Sequence, residues 1–530
     1  MLVENEPPPA FNLWTEPWIG LERPDGTFEQ KSIREALLQA HEYMAIHDPS
    51  PLAIVGIHRL LVAILQAALG PRTPGDCRRI CEAGSFPHGP IEAFGASFSA
   101  RFDLFSATAP FLQSADLPLV PGDGAKLKSV AYLATEIPAG TEITHYRHGS
   151  EDDKTLCPAC AAAGLVTIPA FATSGGAGIR PSINGVPPIY VIPGGKTLFD
   201  SLAASLIAEN YQPEVRCRTR DAPCWDRDPV VGRGSELDEV GYLHSLTFPA
   251  RRVRLHPERS RLACSRCGRI SEWAVRTMVF EMGESRPKGS AFWRDPFAAY
   301  RLPSGRRQGE PTPIRPSPGK ALWRESVGLF LQGTDSAETG TSTPRILRPR
   351  VLDQIAELDL RPSDTLYPVR CVGVRTDMKA KVFEWLDASF EVPFSLLNDV
   401  SGKKVVAVED AVRFSEECSR VIVDAFRKTF GGVAKNQERH KVLRSRMEDD
   451  YWGSLAEPFR QFLLLVAVPE QLKAAQRSWT DTVVLEARRA FAAAAEAVGD
   501  DAESLRRRAQ GEQLCALWLG KKRKERLPNE

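Results

Sequence analysis

KKVVAVEDAVRFSEECSRVIVDAFRKTFGG, residues 403–432, decides how the C-terminal part of this chain folds. Val408, Ala411, Val412, Cys418, Val421, Ile422, Ala425, Phe426 and Phe430 recur at three- and four-residue spacing, which puts them on one face of a helix. Gly431-Gly432 then offers the left-handed backbone that ends a helix. The same periodicity returns over residues 437–466, stopping near Pro469, and again over 470–498 and 501–518. Each segment has an apolar face to bury and a short connection to the next. Together they predict an antiparallel four-helix bundle over residues 396–530.

Upstream the texture is mixed. Residues 12–21 and 26–28 read as a hairpin turning at Pro24-Asp25-Gly26. Residues 32–40, 51–69 and 198–208 read as helices, the second carrying Ile54, Ile57, Leu61, Ile64, Leu65 and Ala68 on one stripe. Irregular chain dominates from about 84 to 195, and residues 303–319 hold five prolines and three glycines. The expected fold class is therefore α+β. A large, loop-rich N-terminal domain over 1–395 precedes the helical bundle.

The chain has 530 residues, enough for two domains, and its 68 basic and 67 acidic side chains leave a net charge of +1. That balance argues against strong autonomous DNA binding and leaves room for a local basic groove. The opening MLVENEPPPAFNLWTEPWIG is acidic and proline-rich, unlike a signal peptide. The apolar run 60–69 is too short to span a bilayer. These features predict a cytoplasmic protein without a membrane partner, and eleven cysteines there should not form disulfides.

Four of the cysteines form two pairs, Cys157-Pro158-Ala159-Cys160 and Cys264-Ser265-Arg266-Cys267-Gly268. Two residues between thiolates let one turn present both sulfurs to a tetrahedral ion, and a following glycine helps the chain fold back. The pairs predict a structural zinc site, although residues 161–263 make a far longer spacer than a compact ribbon has. Ordinary free thiols are the plainer reading of either pair alone. Catalytic zinc fits poorly, because four cysteines close the coordination shell. His256-Pro257-Glu258 lies just before Cys264, and Ala263 replaces the proline that a deaminase motif needs. Gly195-Lys196-Thr197 lacks the first glycine of a phosphate loop, with Tyr190 in its place, and neither HExxH nor GxSxG occurs. A binding protein is expected, with no catalytic residues.

Ser174, Gly175, Gly176, Ala177 and Gly178 form a run of small residues, through which backbone could closely approach a partner; a plain surface loop has the same composition. Arg375-Thr376-Asp377-Met378-Lys379 is a polar turn between apolar runs. Arg251, Arg252 and Arg254, Arg306 and Arg307, residues 506–508 and residues 521–524 are basic clusters that read first as solvated faces or a tail.

Several stretches together resemble the large subunit of the type I-E CRISPR Cascade complex, the CasA family. Residues 12–19, Asn-Leu-Trp-Thr-Glu-Pro-Trp-Ile, resemble its opening. Phe102-Asp103-Leu104-Phe105 with Pro110-Phe111-Leu112-Gln113 resembles its His-Pro-Phe-Met-Gln segment, with Ala109 where histidine is common. A CxxC, a glycine loop, a second CxxC, the 293–296 stretch and the helical segments follow in the family's order. The resemblance implies a subunit that reads the protospacer-adjacent motif (PAM) of double-stranded DNA and opens the duplex so that the guide can pair. It also implies recruitment of a helicase-nuclease for antiviral defence. The implied partners are crRNA, the backbone subunits and the small helical subunit. Carried onto this chain, Ser174 to Gly178 would be the PAM-contacting loop, with Ser174 and Ala177 where glycine is usual. Arg286 or Lys288 would be a further PAM contact. Gly373-Val374-Arg375 would lead into a duplex-splitting wedge of Thr376, Asp377 and Met378, steadied by Arg375 and Lys379. His145, Tyr146 and Arg147 would meet the crRNA 5′ handle. A zinc-ribbon nucleic-acid-binding protein outside CRISPR is the alternative reading.

Overall fold

The computed structural model describes residues 10–118, 127–134, 136, 154–173, 180–214, 220–228, 232, 234–287, 289–303, 310–316, 322–325, 329–331, 346–362, 365–376, 382–399, 401–430 and 437–527. They form two compact units. One comprises Met1–Pro316, Pro349–Leu360 and Pro368–Phe390; the other comprises Ser317–Arg348, Arg361–Tyr367 and Glu391–Glu530.

The first unit mixes helices with small antiparallel sheets. Strands β1 (Ile19–Glu22) and β2 (Phe28–Lys31) form the expected hairpin, in register from Ile19↔Lys31 to Glu22↔Phe28. Its turn closes where Arg23 N donates to Thr27 O, with Gly26 at φ +79°. The hairpin is shorter than predicted, because Asn12 instead caps a local turn, its side chain accepting from Trp14 N at 2.9 Å. Helix α1 (Ile33–Leu38) starts on a reciprocal capping box between Ser32 and Glu35. Strand β3 (Ala45–Ile46) adds to β1.

Helix α2 (Pro51–Leu69) begins with proline at its first position and ends at Gly70, φ +54°. It is apolar nearly all round and buried nearly all round, so it is the core helix of this unit. Its 19 residues are long and apolar enough to cross a membrane by length and composition, correcting the expectation from the 60–69 run alone. Most of its surface is nonetheless covered by protein.

Three further elements place the functional candidates. Strand β4 (Leu127–Ser129) flanks a long hairpin made by β6 (Arg251–Arg259) and β7 (Trp273–Met282), with the order β4-β7-β6. Helix α3 (Pro158–Leu165) packs against β7. Strand β5 (Tyr190–Pro193) pairs antiparallel with β8 (Leu366–Thr376), which pairs in turn with β9 (Val382–Pro393).

The second unit is largely helical. Its principal helices are α4 (Lys403–Phe430), α5 (Gln437–Ser454), α6 (Ala456–Ala467), α7 (Leu472–Glu496) and α8 (Ala502–Arg526). The predicted second helix is thus two, broken at Leu455. Pro458 explains the break: it has no N–H to donate, so it belongs in the first turn of a new helix. Trp479 Nε1 donates to Ala411 O at 3.0 Å and Phe426 meets Phe491, so α7 runs alongside α4 in the same direction. Tyr451 OH donates to Ser415 O at 2.8 Å and His440 lies by Phe430, so α5 runs opposite. Helix α8 is also opposite to α4, with Lys522 against Glu417 and Gly511 against Thr429. It continues through Lys521–Lys524, so this basic cluster is helical and not a tail, with Lys522 and Arg523 paired to Glu417 and Asp481.

Candidate metal centre and flanking loops

The hairpin β6–β7 brings the distant cysteine pairs together. Leu156 and Val275 exchange backbone hydrogen bonds of 2.9 and 2.8 Å, laying the chain before Cys157 along β7. Cys157 then caps α3, Pro158 occupies the first helical position and Cys160 lies one turn on. The second pair sits in the connection from β6 to β7. There Cys264 N donates to Arg269 O at 2.8 Å and Gly268 N to Cys264 O at 2.9 Å. Gly268 has φ +72°, a backbone that a side chain would strain. The 161–263 spacer is therefore bridged by sheet pairing and not by a compact ribbon.

The four sulfurs of Cys157, Cys160, Cys264 and Cys267 lie within 4.8 Å of one another, and Cys157 Sγ is 3.7 Å from Cys267 Sγ. Zinc–thiolate bonds of about 2.3 Å in a tetrahedron separate sulfurs by about 3.8 Å, so the donor set fits one four-coordinate ion. Three of the cysteines are buried and Cys267 is exposed. Taken as bare thiols, Cys157, Cys160 and Cys264 titrate against one another. Cys264 is driven down by hydrogen bonds from Cys157 and Cys160. Cys160 is driven up by its hydrogen bonds with Cys157 and Cys264 and by burial. A divalent cation relieves that competition by stabilising every thiolate.

Arg266, inside the second pair, was not singled out by sequence reasoning. Its buried guanidinium forms ion pairs with Asp48 and Glu136. Burial pulls its pKa down, but the two carboxylates outweigh that and raise it above the ordinary arginine range. Next to it, Ser265 N donates to Thr155 O at 2.8 Å and Thr155 N to Ser265 Oγ at 3.0 Å. Thr155 Oγ1 donates to Ala263 O at 3.1 Å. The turn thus holds Glu136 and Thr155, which lie at either end of residues 137–153. The expected handle-binding residues His145, Tyr146 and Arg147 fall in that segment, outside the described residues.

Ser174, Gly175, Gly176, Ala177, Gly178 and Lys288 are also outside the described residues, as are Asp377, Met378 and Lys379. Arg286 is half-buried, donates to Ala291 O and has its pKa lowered by burial. Arg375 lies near the end of β8, 3.2 Å from Glu384 of β9, and Thr376 is the last residue of the strand. Gly373 is required by packing: a Cβ there would sit 2.8 Å from Pro316 Cγ. The structure therefore does not join the glycine run, the wedge tip and Arg286 into one described site.

One expectation is overturned. Arg251, Arg252 and Arg254 are 4%, 4% and 1% exposed, so they form no solvated basic patch. Arg252 pairs with Asp116 and Glu281, and Arg251 donates to backbone carbonyls.

Comparison with known proteins places this architecture in a class of CRISPR-associated proteins. The family model for CRISPR-associated protein Cse1 matches residues 12–490. The CRISPR-associated protein CasA/Cse1 of Thermus thermophilus is 30% identical, over 96% of this chain and 97% of its own. The crystal structure of Cse1 from Acidimicrobium ferrooxidans superposes with a TM-score of 0.77 over 98% of this chain and 99% of that one, at 24% identity. A chain of a CRISPR RNA-guided surveillance complex has the same fold, with a TM-score of 0.71 at 19% identity, over 97% of this chain and 100% of that one. This chain belongs to the Cse1 (CasA) family.

Proposed function

We propose that this chain is the large subunit of a type I-E Cascade surveillance complex and acts by binding, with no reaction of its own. It reads the PAM in double-stranded DNA, opens the duplex to start the R-loop and helps recruit a helicase-nuclease in antiviral defence. Its partners are crRNA, the backbone subunits, the small helical subunit, target DNA and that nuclease, in the cytoplasm. The family match across residues 12–490 carries this reading. The fold shared with a chain of an RNA-guided surveillance complex agrees with it.

Within it, residues 174–178 approach the PAM, with Arg286 or Lys288 as a further contact. The turn after Arg375 enters the duplex, and residues 145–147 meet the crRNA handle. Zinc is the ion suited to the four cysteines. It would supply cross-linking and no open coordination position, leaving the 263–268 turn rigid. Sequence is then read by guide pairing, while protein reads a short motif and shape. The test is co-expression with the other subunits and crRNA, followed by selection from duplexes with a randomised PAM. Co-purification and enrichment of a short motif beside the target are expected. A chain that purifies alone, with no crRNA-dependent DNA binding, would instead favour the zinc-ribbon alternative.

A further inference from the structure

The four sulfurs of the cysteine quartet are not equally sheltered. Cys157, Cys160 and Cys264 are buried, and Cys267 is exposed. Cys267 ends the second pair, and Gly268 turns the chain back immediately after it at φ +72°. The other described cysteines that are only half-buried are Cys81 and Cys224. Burial pushes their thiols up to about 11 and about 12, so both stay protonated at neutral pH. A protonated thiol is a poor nucleophile.

A thiolate bound to a divalent cation is held deprotonated instead. Cys267 therefore combines two properties that no other described cysteine shares: it is open to solvent, and it belongs to a donor set that fits a metal. Its sulfur lies 3.7 Å from Cys157 Sγ. A disulfide holds its sulfurs about 2.0 Å apart, so a shift of about 1.7 Å closes the pair. The two segments are already fixed beside each other by the Leu156–Val275 bridge and by Ser265 N, which donates to Thr155 O at 2.8 Å.

We infer that Cys267 is an oxidant-sensitive modification site: hydrogen peroxide couples it to Cys157 as a disulfide, and the metal is released. The inference rests on the proposed reading of the quartet as a metal centre. In the first step the Cys267 thiolate attacks the peroxide. An S–O bond forms and the O–O bond breaks, giving a sulfenic acid and a hydroxide that takes up a proton as water. In the second step the Cys157 thiolate attacks the Cys267 sulfur. The S–S bond forms, the S–O bond breaks, and hydroxide again leaves to become water. The thiolates lose two electrons in all, and the peroxide gains them. Cys160 and Cys264 alone then leave half of a tetrahedral shell unfilled.

The test uses the zinc-loaded full chain treated with hydrogen peroxide, with released zinc read by a chromogenic chelator and disulfides by peptide mapping. Zinc should leave in step with a cross-linked peptide that joins Cys157 to Cys267. Dithiothreitol with added zinc should restore both the thiols and the bound metal. Cys81→Ala and Cys224→Ala should release zinc at the parental rate, whereas Cys267→Ser should slow release by roughly tenfold or more. If Cys267→Ser does not hold zinc, pulse alkylation of the parent with N-ethylmaleimide carries the test, and Cys267 should be labelled first among the four. Zinc retained through peroxide treatment would overturn the inference. So would a disulfide formed within either CxxC pair, or alkylation that begins at another member of the quartet. A parent chain that takes up no zinc would instead remove the reading of the quartet as a metal centre.

Discussion

The two ends of the β6–β7 hairpin hold two different segments by different chemistry. β6 is nine residues long, so the ends stand roughly 25–30 Å apart. Beyond its C-terminal end, the turn that carries Cys264 and Cys267 holds Glu136 through Arg266 and Thr155 through Ser265 and Ala263, on either side of residues 137–153. At its N-terminal end, Arg251 grips Thr173 and Arg180 on either side of 174–179. The first grip needs a cation and two carboxylates; the second needs only carbonyl oxygens. One hairpin can therefore set two segments independently, and the grips should fail under different insults.

The largest effect should come from the metal. Replacing Cys264 with Ser is expected to abolish stoichiometric metal and lower stability by several kcal/mol, on the order of half a zinc-finger binding energy or less. Metal analysis and thermal unfolding check this. One tightly held ion persisting in both Cys157→Ser and Cys264→Ser would rule out a site shared by the four sulfurs. Next, Arg266→Met leaves the part-buried carboxylates of Asp48 and Glu136 without their shared cation and should cost about 1–3 kcal/mol in denaturant unfolding. It should leave metal content unchanged, separating the ion pair from the thiolates.

How far the sequence revealed this arrangement depends on distance along the chain. α2 was legible to the residue, because its cap, its period and its terminal glycine are all local. The cysteine quartet was legible as two pairs. Their meeting was not, because it depends on the Leu156–Val275 bridge between segments that share no local signal. The break at Leu455 had a signal in Pro458 that the apolar period overrode. Arg251, Arg252 and Arg254 read as a solvated basic cluster, because nothing local in the sequence supplies their partners. Their partners, Thr173, Arg180, Asp116 and Glu281, arrive from other parts of the chain. Arg266 had one available hint, a long cation inside a tight cysteine turn that needs a counter-charge if the turn is buried.

The β8–β9 hairpin extends the comparison to a third segment. Its strands are braced by Arg370, 2.8 and 2.7 Å from the Asp387 oxygens, and by Arg375 with Glu384. Changing Thr376, Asp377 and Met378 to Gly should cost R-loop formation on linear duplex about the few kcal/mol of one unstacked step. Binding to a target pre-melted at its first pairs should be nearly normal, read with a base-analogue fluorophore. Equal loss on both substrates would mean these residues do not act as a wedge. The smallest effect is expected from Thr155→Val, which removes the hydrogen bond to Ala263 O and should cost about 1 kcal/mol. Thermal unfolding would read it as a shift of about 1 °C.

Hydrogen exchange of the assembled complex tests the independence of the two grips most directly. It would be measured on backbone amides 155–157 and 264–268 and on amides 172 and 182, with chelator and separately with Arg251→Gln. The account predicts that chelation speeds exchange in the first set alone and Arg251→Gln in the second alone. Both sets responding together to either treatment would contradict it, and would make the hairpin a single cooperative support.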